Sequence, residues 1–275
     1  MNSPSTPPSS STRVAAIQMV STPMVSENLD AASQLIAKAA ESGARLVSLP
    51  EYFCFMGQKD HDKLAIRETE GAGPIQEFLA DQARGHGIYL VGGTMPFISP
   101  DAARVYNTSL VYGPDGKALA RYDKIHLFNF RRGQESYDES IAIRPGTEVR
   151  TVDTPFAKVG LSVCYDLRFP ELYRALGQVD LIVVPAAFTY TTGKAHWELL
   201  LRARAVENQC YVLAPAQGGV HPNGRRTWGH SMLVDPWGEI VDVLPEGPGV
   251  AGGNIDPARL SEVRTALPAL RHRVM

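Results

Sequence analysis

An α/β fold is what this sequence predicts, and three observations predict it. Short apolar runs of strand length alternate with amphipathic stretches of helical period. Two tetrapeptides, Gly113-Pro-Asp-Gly116 and Asp235-Pro-Trp-Gly238, stand between strand-like runs and read as hairpin turns. Three apolar runs end in a chemically active residue, Glu51, Lys124 and Cys164. The carboxyl ends of strands are where open α/β sheets bind their ligands.

The elements follow in order. Residues 1–12, MNSPSTPPSSST, are rich in Ser, Pro and Thr and read as a flexible tail. Residues 13–275 read as one domain, because no linker rich in Pro, Gly or charge divides them. Residues 14–20 form a buried-strand pattern. Residues 26–42 carry Leu29, Ala32, Leu35, Ile36 and Ala39 at helical spacing, stopped by Gly43. Residues 45–49 are a strand closed by Pro50, residues 74–86 a helix, and residues 88–92 a strand. Strands are expected over 105–112 and 117–122, then a long irregular segment over 128–146. Residues 151–153 and 159–163 are strands, the second leading into Cys164; a helix over 170–177 and a strand over 180–184 follow. Residues 194–209 predict an amphipathic helix packed through Trp197, Leu199, Leu200, Ala203 and Val206. A strand over 210–214, a Gly-rich loop over 217–228, strands over 230–234, 239–243 and 249–255, and a short helix from Pro257 complete the chain.

Composition bounds the function. The chain has 275 residues, 44% of them hydrophobic, enough for a large core. A net charge of −2 with interspersed signs argues against nucleic acid and against an anionic membrane surface. No apolar stretch approaches membrane-spanning length, and the start has no secretory or transit pattern. Cys54, Cys164 and Cys210 make neither a disulfide framework nor a metal-ligand spacing. A reducing, cytoplasmic setting fits them.

Cys164 lies in GLSVCYDLRFPE, between a strand and a helix start. Free N–H groups there favour thiolate, the form that attacks carbonyl carbon. A small buried cysteine is the plainer reading. Glu51 and Glu139 taken alone read as solvated loop glutamates, and Lys124 as a lysine reaching for solvent. Together, a base, a cation and a nucleophile at three strand ends make a constellation for acyl transfer. His126, His196, His221 and His230 show no clear pattern of partnership with the cysteine.

These pieces resemble the nitrilase superfamily of carbon–nitrogen hydrolases: SLPEYF at 48–53, RYDKIHLF at 121–128, YDES at 137–140 and GLSVCYDLRFPEL at 160–172. The likeness continues through 185–219 and 228–239, and covers the chain from Arg13 onward. It implies a four-layer α-β-β-α sandwich, commonly paired into a homodimer or larger homo-oligomer. It implies Glu51 as general base, Lys124 as the cation facing the oxyanion, Cys164 as nucleophile and Glu139 as support, with the Tyr165 N–H as a second oxyanion donor. It implies a small-molecule amide substrate and no cofactor or metal. Within the superfamily the chain resembles the Nit branch associated with deaminated glutathione amidase. A neighbouring branch acts as ω-amidase on 2-oxoglutaramate, and broad aliphatic amidases stand beside it. A non-catalytic scaffold and a biotinidase-like transferase are readings of other kinds.

Substrate carboxylates call for cations. Arg168 is the nearest candidate, with an ion pair to Glu171 as its ordinary alternative. Arg131, Arg132, Arg225 and Arg226 are further candidates, and Tyr190, Thr191 and Thr192 could bound the pocket.

Overall fold

The computed structural model describes residues 10–133 and 135–274. In chain order it contains β1 (Thr12–Gln18), α1 (Val25–Glu41), β2 (Leu46–Ser48), α2 (Pro74–His86), β3 (Tyr89–Val91), β4 (Met95–Ile98), β5 (Val105–Tyr112) and β6 (Ala118–Asp123). Then come β7 (Asn129–Arg132), β8 (Glu135–Asp138), β9 (Ile143–Arg144), β10 (Thr151–Asp153), β11 (Lys158–Leu161), α3 (Pro170–Ala175), β12 (Leu181–Val183), α4 (Tyr190–Asn208) and β13 (Tyr211–Ala214). The chain finishes with β14 (Gly218–Val220), β15 (Arg226–Trp228), β16 (Met232–Val234), β17 (Ile240–Val243), β18 (Gly249–Ile255) and α5 (Pro257–Ala266).

Two sheets form the centre. The first runs β18-β1-β2-β3-β5-β4, with β6 and β9 also paired to β5; the second runs β10-β11-β12-β13-β16-β17. β1, β2 and β3 are parallel, as are β11, β12 and β13. Period-2 alternation on β1 separates its two faces. Val14 and Ala16 join the core shared with the second sheet, including Leu181, Val183, Val212 and Leu233. Ala15 and Ile17 face the other way, against Ala32, Ile36 and Ala39 of α1 and Ile75, Leu79 and Ala83 of α2. On the far side of the second sheet, α3 and α4 contribute Leu172, Tyr173, Trp197, Leu201 and Ala205. The result is a four-layer α-β-β-α sandwich. Strands covered on both faces read as continuous apolar runs, which is why they stand out in the sequence.

Several expectations are corrected. Thr12 is not tail: it pairs with Ile255 as the first residue of β1. Of the rest of the expected tail, Ser10 and Ser11 are exposed outside any strand or helix, and residues 1–9 lie outside the described residues. Residues 128–146 are not irregular but hold the β7–β8 hairpin, with Phe128 stacked near Phe130 and Tyr137 at 5.9 and 5.8 Å. Residues 217–228 hold a second hairpin, β14–β15. Both segments are polar ribbons without the apolar alternation that marks a strand. On α4 the buried face is Trp197, Leu201, Arg204, Ala205 and Asn208. Leu199 and Val206 are 67% and 47% exposed, because their seven-residue spacing puts them together on the opposite face. A 3₁₀ segment over Asp60–Ile66 and strand β4 carry no clear periodic signal.

Candidate active site

The four central residues come from different elements and meet where the two sheets face each other. Glu51 follows β2 by way of Leu49 and Pro50. Its carbonyl accepts from Gln217 Nε2 at 3.0 Å, and the next N–H, of Tyr52, donates to Thr94 Oγ1 at 2.9 Å. Gly93 passes so close that a Cβ there would stand 2.2 Å from the Pro50 carbonyl oxygen, and its φ is +55°. Only glycine meets both conditions without strain. Lys124 follows β6; its N–H donates to the Asn107 carbonyl at 3.0 Å and its carbonyl accepts from Gly146 N–H at 2.8 Å. Glu139 follows β8 on a short 3₁₀ turn that Asp138 caps by accepting from Ser140 N–H at 3.0 Å. Cys164 follows β11 and opens the 3₁₀ turn Cys164–Arg168, with α3 beginning beyond it.

The Lys124 ammonium is wholly buried and held by two carboxylates. Nζ donates to Glu51 Oε1 at 2.8 Å and to Glu139 Oε1 and Oε2 at 2.9 and 2.7 Å. Burial opposes its charge, but Glu139 and Glu51 outweigh burial and push its pKa well up. Burial likewise opposes the Glu139 carboxylate, yet Lys124, Phe128 N–H at 2.7 Å and Tyr52 O–H at 2.8 Å hold its pKa down. Glu51 accepts a further bond from Asn107 Nδ2 at 2.9 Å on the same oxygen that meets Lys124. Its other oxygen, Oε2, is buried and has no hydrogen-bond partner among the described residues. A buried carboxylate oxygen left free is costly, and it is ready to accept a proton.

Cys164 is 7% exposed and has φ +51°, a left-handed conformation uncommon for a residue with a Cβ. Its N–H donates to the Pro185 carbonyl at 2.9 Å. Asp166 fixes the turn by accepting from Val163 N–H at 2.8 Å, Tyr122 O–H at 2.7 Å and His126 N–H at 3.0 Å. The free N–H groups of the turn, expected to favour thiolate, are not the largest influence on the sulfur. Burial, then the negative charge of Glu51, push the thiol pKa well above its ordinary value, and the opposing pull of Lys124 does not overcome them. That direction favours the thiol over the thiolate.

The other candidates divide. Tyr165 and Arg168 line a narrow cavity of about 10 Å3 with Cys164, together with Phe188, Thr189, Thr192 and Arg225. Arg168 does not pair with Glu171; it stands 3.3 Å from His196 Nδ1 and over the Tyr165 and Phe188 rings. Tyr190 and Thr191 do not line this cavity. Tyr190 packs edge-on against Trp228 under the Arg226 guanidinium, and Thr191 Oγ1 donates to Glu135 at 2.8 Å. Successive residues of a helix point about 100° apart, so Thr192 faces the cavity while Thr191 faces the β7–β8 hairpin. Arg131 and Arg132 are exposed on β7, and Arg226 pairs with Glu246. His126 is bound to Asp166 at 2.7 Å, and His221 to Ser21 and Thr227. Sequence reasoning passes over Asn107, Asp166, Tyr52 and Gln217. Asn107 offers a signal, an amide inside the apolar strand VYNTSLVY; the others offer none.

The carbon–nitrogen hydrolase family profile matches residues 13–265. Deaminated glutathione amidase of Synechocystis sp. (strain PCC 6803 / GT-S) is 45% identical over 266 residues, 94% of this chain and 97% of that protein. Omega-amidase NIT2 of Mus musculus is 40% identical over 264 residues, covering 95% and 94%. Among solved structures, the C. elegans NitFhit protein superposes with a TM-score of 0.86 at 39% identity, over 96% of this chain and 65% of that one. With its sandwich fold and its match across nearly the whole chain, this protein belongs to the carbon–nitrogen hydrolase family, within the nitrilase superfamily.

Proposed function

We propose that this protein is an amidase that cleaves deaminated glutathione to 2-oxoglutarate and cysteinylglycine through a thioester on Cys164. One observation carries the chemistry: a buried ammonium clamped by Glu51 and Glu139, beside the cavity that Glu139 and Cys164 both line. The substrate rests on the 45% identity to a protein of that name.

The free Oε2 of Glu51 takes the Cys164 proton as sulfur bonds to the amide carbonyl carbon. Lys124 and the Tyr165 N–H receive the negative charge that develops on oxygen. The C–N bond then breaks, the proton passes from Glu51 to the departing nitrogen, and a thioester remains. Water attacks the thioester and gives a proton to Glu51. The C–S bond breaks, and sulfur recovers that proton as the acid leaves. Glu139 neutralises Lys124 between turnovers, so the pair presents little net charge until the oxyanion forms.

A second reading, an ω-amidase acting on 2-oxoglutaramate, is favoured by the 40% identity to the mouse protein. Purified protein given each compound separately, with 2-oxoglutarate release as readout, separates them. Preference for deaminated glutathione supports the first, preference for 2-oxoglutaramate the second, and inactivity on both removes both. A cytoplasmic setting and a homodimer or larger assembly belong to the same proposal. Three free, buried cysteines suit a reducing compartment. The exposed Leu199 and Val206 on α4 adjoin the exposed Trp237, where Arg202 Nε donates to the Gly238 carbonyl at 2.8 Å, and together they suit a self-association surface.

A further inference from the structure

A second cavity, of about 400 Å3, opens beyond the narrow one at Cys164, and Phe128, Glu139 and Arg225 belong to the walls of both. Its outer wall is built from two loops. One carries Lys59 and Lys63 after Tyr52, and the other is the turn between β14 and β15, with Asn223 and Arg225. Asn223 Nδ2 ties the loops together by donating to the Gly57 carbonyl at 2.7 Å.

The polar groups of this cavity are unequally engaged. On the acidic side, Glu139 is taken by Lys124 and Asp138 caps its own turn. On the basic side, Lys63 has no ion pair among the described residues and stands 5.9 Å from the centre of the Tyr52 ring, with the charges of Asp60 and Glu139 favouring its protonation and those of Arg225 and Lys124 opposing it. Arg225 reaches the Ala187 carbonyl through Nη2 at 3.2 Å and lies over Tyr137, yet its Nε is buried with no hydrogen-bond partner among the described residues. A buried donor without an acceptor costs free energy that an incoming anion recovers. Burial also depresses the Lys63 pKa, a cost that a carboxylate relieves.

We propose that Arg225 and Lys63 form a carboxylate-binding subsite for the departing, amine half of the substrate. This rests on the reading of deaminated glutathione as the substrate. The acyl half stays attached to Cys164, on the side of Tyr165 and Arg168. The amine half must leave before water can attack, so it belongs on the wide side. In cysteinylglycine that half ends in a carboxylate; in 2-oxoglutaramate it is ammonia and has nothing for the subsite to hold. The subsite therefore acts on one substrate and not the other.

The experiment compares kcat/KM on deaminated glutathione, on its C-terminal carboxamide and on 2-oxoglutaramate, for wild type, Arg225→Met, Arg225→Lys and Lys63→Met, with thermal melts to show that each variant is folded. Losing one charged hydrogen-bond donor corresponds to about tenfold or more. The expected result is a fall of about that size in the ratio of deaminated glutathione to 2-oxoglutaramate for both methionine variants, with part of it restored in Arg225→Lys. Wild type should lose a similar factor on the carboxamide. Equal losses on both substrates, or no preference of wild type for the acid over the carboxamide, overturn the subsite. Inactivity of wild type on deaminated glutathione instead overturns the substrate reading, and the subsite with it.

Discussion

Lys124 shows how much depends on a single side chain. It has no exposed surface and satisfies two carboxylates. Lys124→Met leaves both without a counter-charge. Breaking a buried pair in this way costs about 3–5 kcal/mol, and losing an oxyanion donor costs roughly a hundredfold or more in kcat. Denaturant melts and steady-state rates check the two losses, and adding Glu139→Gln should return part of the stability but none of the rate. The pH dependence has a definite sign. Glu139 is held below its ordinary 4.5, so its contribution is present above that value and is lost as pH falls through the lowered pKa. Lys124 is held above its ordinary 10.5, so its contribution is complete below that value and fades only at more alkaline pH. Thermal midpoints of wild type should therefore fall on the acid side below about pH 4.5, and Glu139→Gln should flatten that limb. Cys164→Ala should lower turnover by a thousandfold or more, an order seen when nucleophiles are removed, while circular dichroism stays native. Glu51, Lys124 and Cys164 stand out in the sequence because each ends an apolar run, whereas Glu139 stands out only through the resemblance of YDES to the family. Their partners do not. Asn107, Tyr52 and Gln217 reach the site from 56, 87 and 166 positions away from the atoms they bind, and no local pattern encodes a distance of that kind.

The elements carrying these residues are held by few contacts, and those can be tested singly. Gly93 allows the end of β3 to pass under Pro50. Gly93→Ala must move the Glu51 turn or strain a left-handed residue, at about 1–3 kcal/mol. The expected outcome is a fall in kcat larger than the fall in stability warrants, measured on protein still folded at assay temperature. Trp197 is the largest buried side chain and anchors α4 by donating from Nε1 to the His230 carbonyl at 2.9 Å. Trp197→Ala should cost about 3–5 kcal/mol, read from the denaturation midpoint. Helices and central strands were legible at this scale because burial imposes a period on them. The two hairpins over 128–146 and 217–228 were not. They lie outside the layers, their pairing is mostly polar backbone, and their turn residues read as loop. They also line the cavities, so the least legible elements are the ones that shape the substrate site.

At the scale of the whole molecule, Glu51 and Lys124 hang from one sheet and Cys164 from the other. The core between the sheets, from Val14 and Leu46 to Val183 and Leu213, is what fixes the distance between Glu51 and Cys164. Sedimentation of the purified protein should give a mass of two chains or more, and Leu199→Glu with Val206→Glu should shift it toward one chain. The pairing of β1 with β18 has a consequence for synthesis. β1 leaves the ribosome well ahead of β18, and its edge stays open until residues 249–255 emerge and close it. Over the more than two hundred residues between them, the strand beside the one that delivers Glu51 has an open edge, exposed to chaperones and to other nascent chains. Glu51 is thus made long before the sheet that carries it is closed.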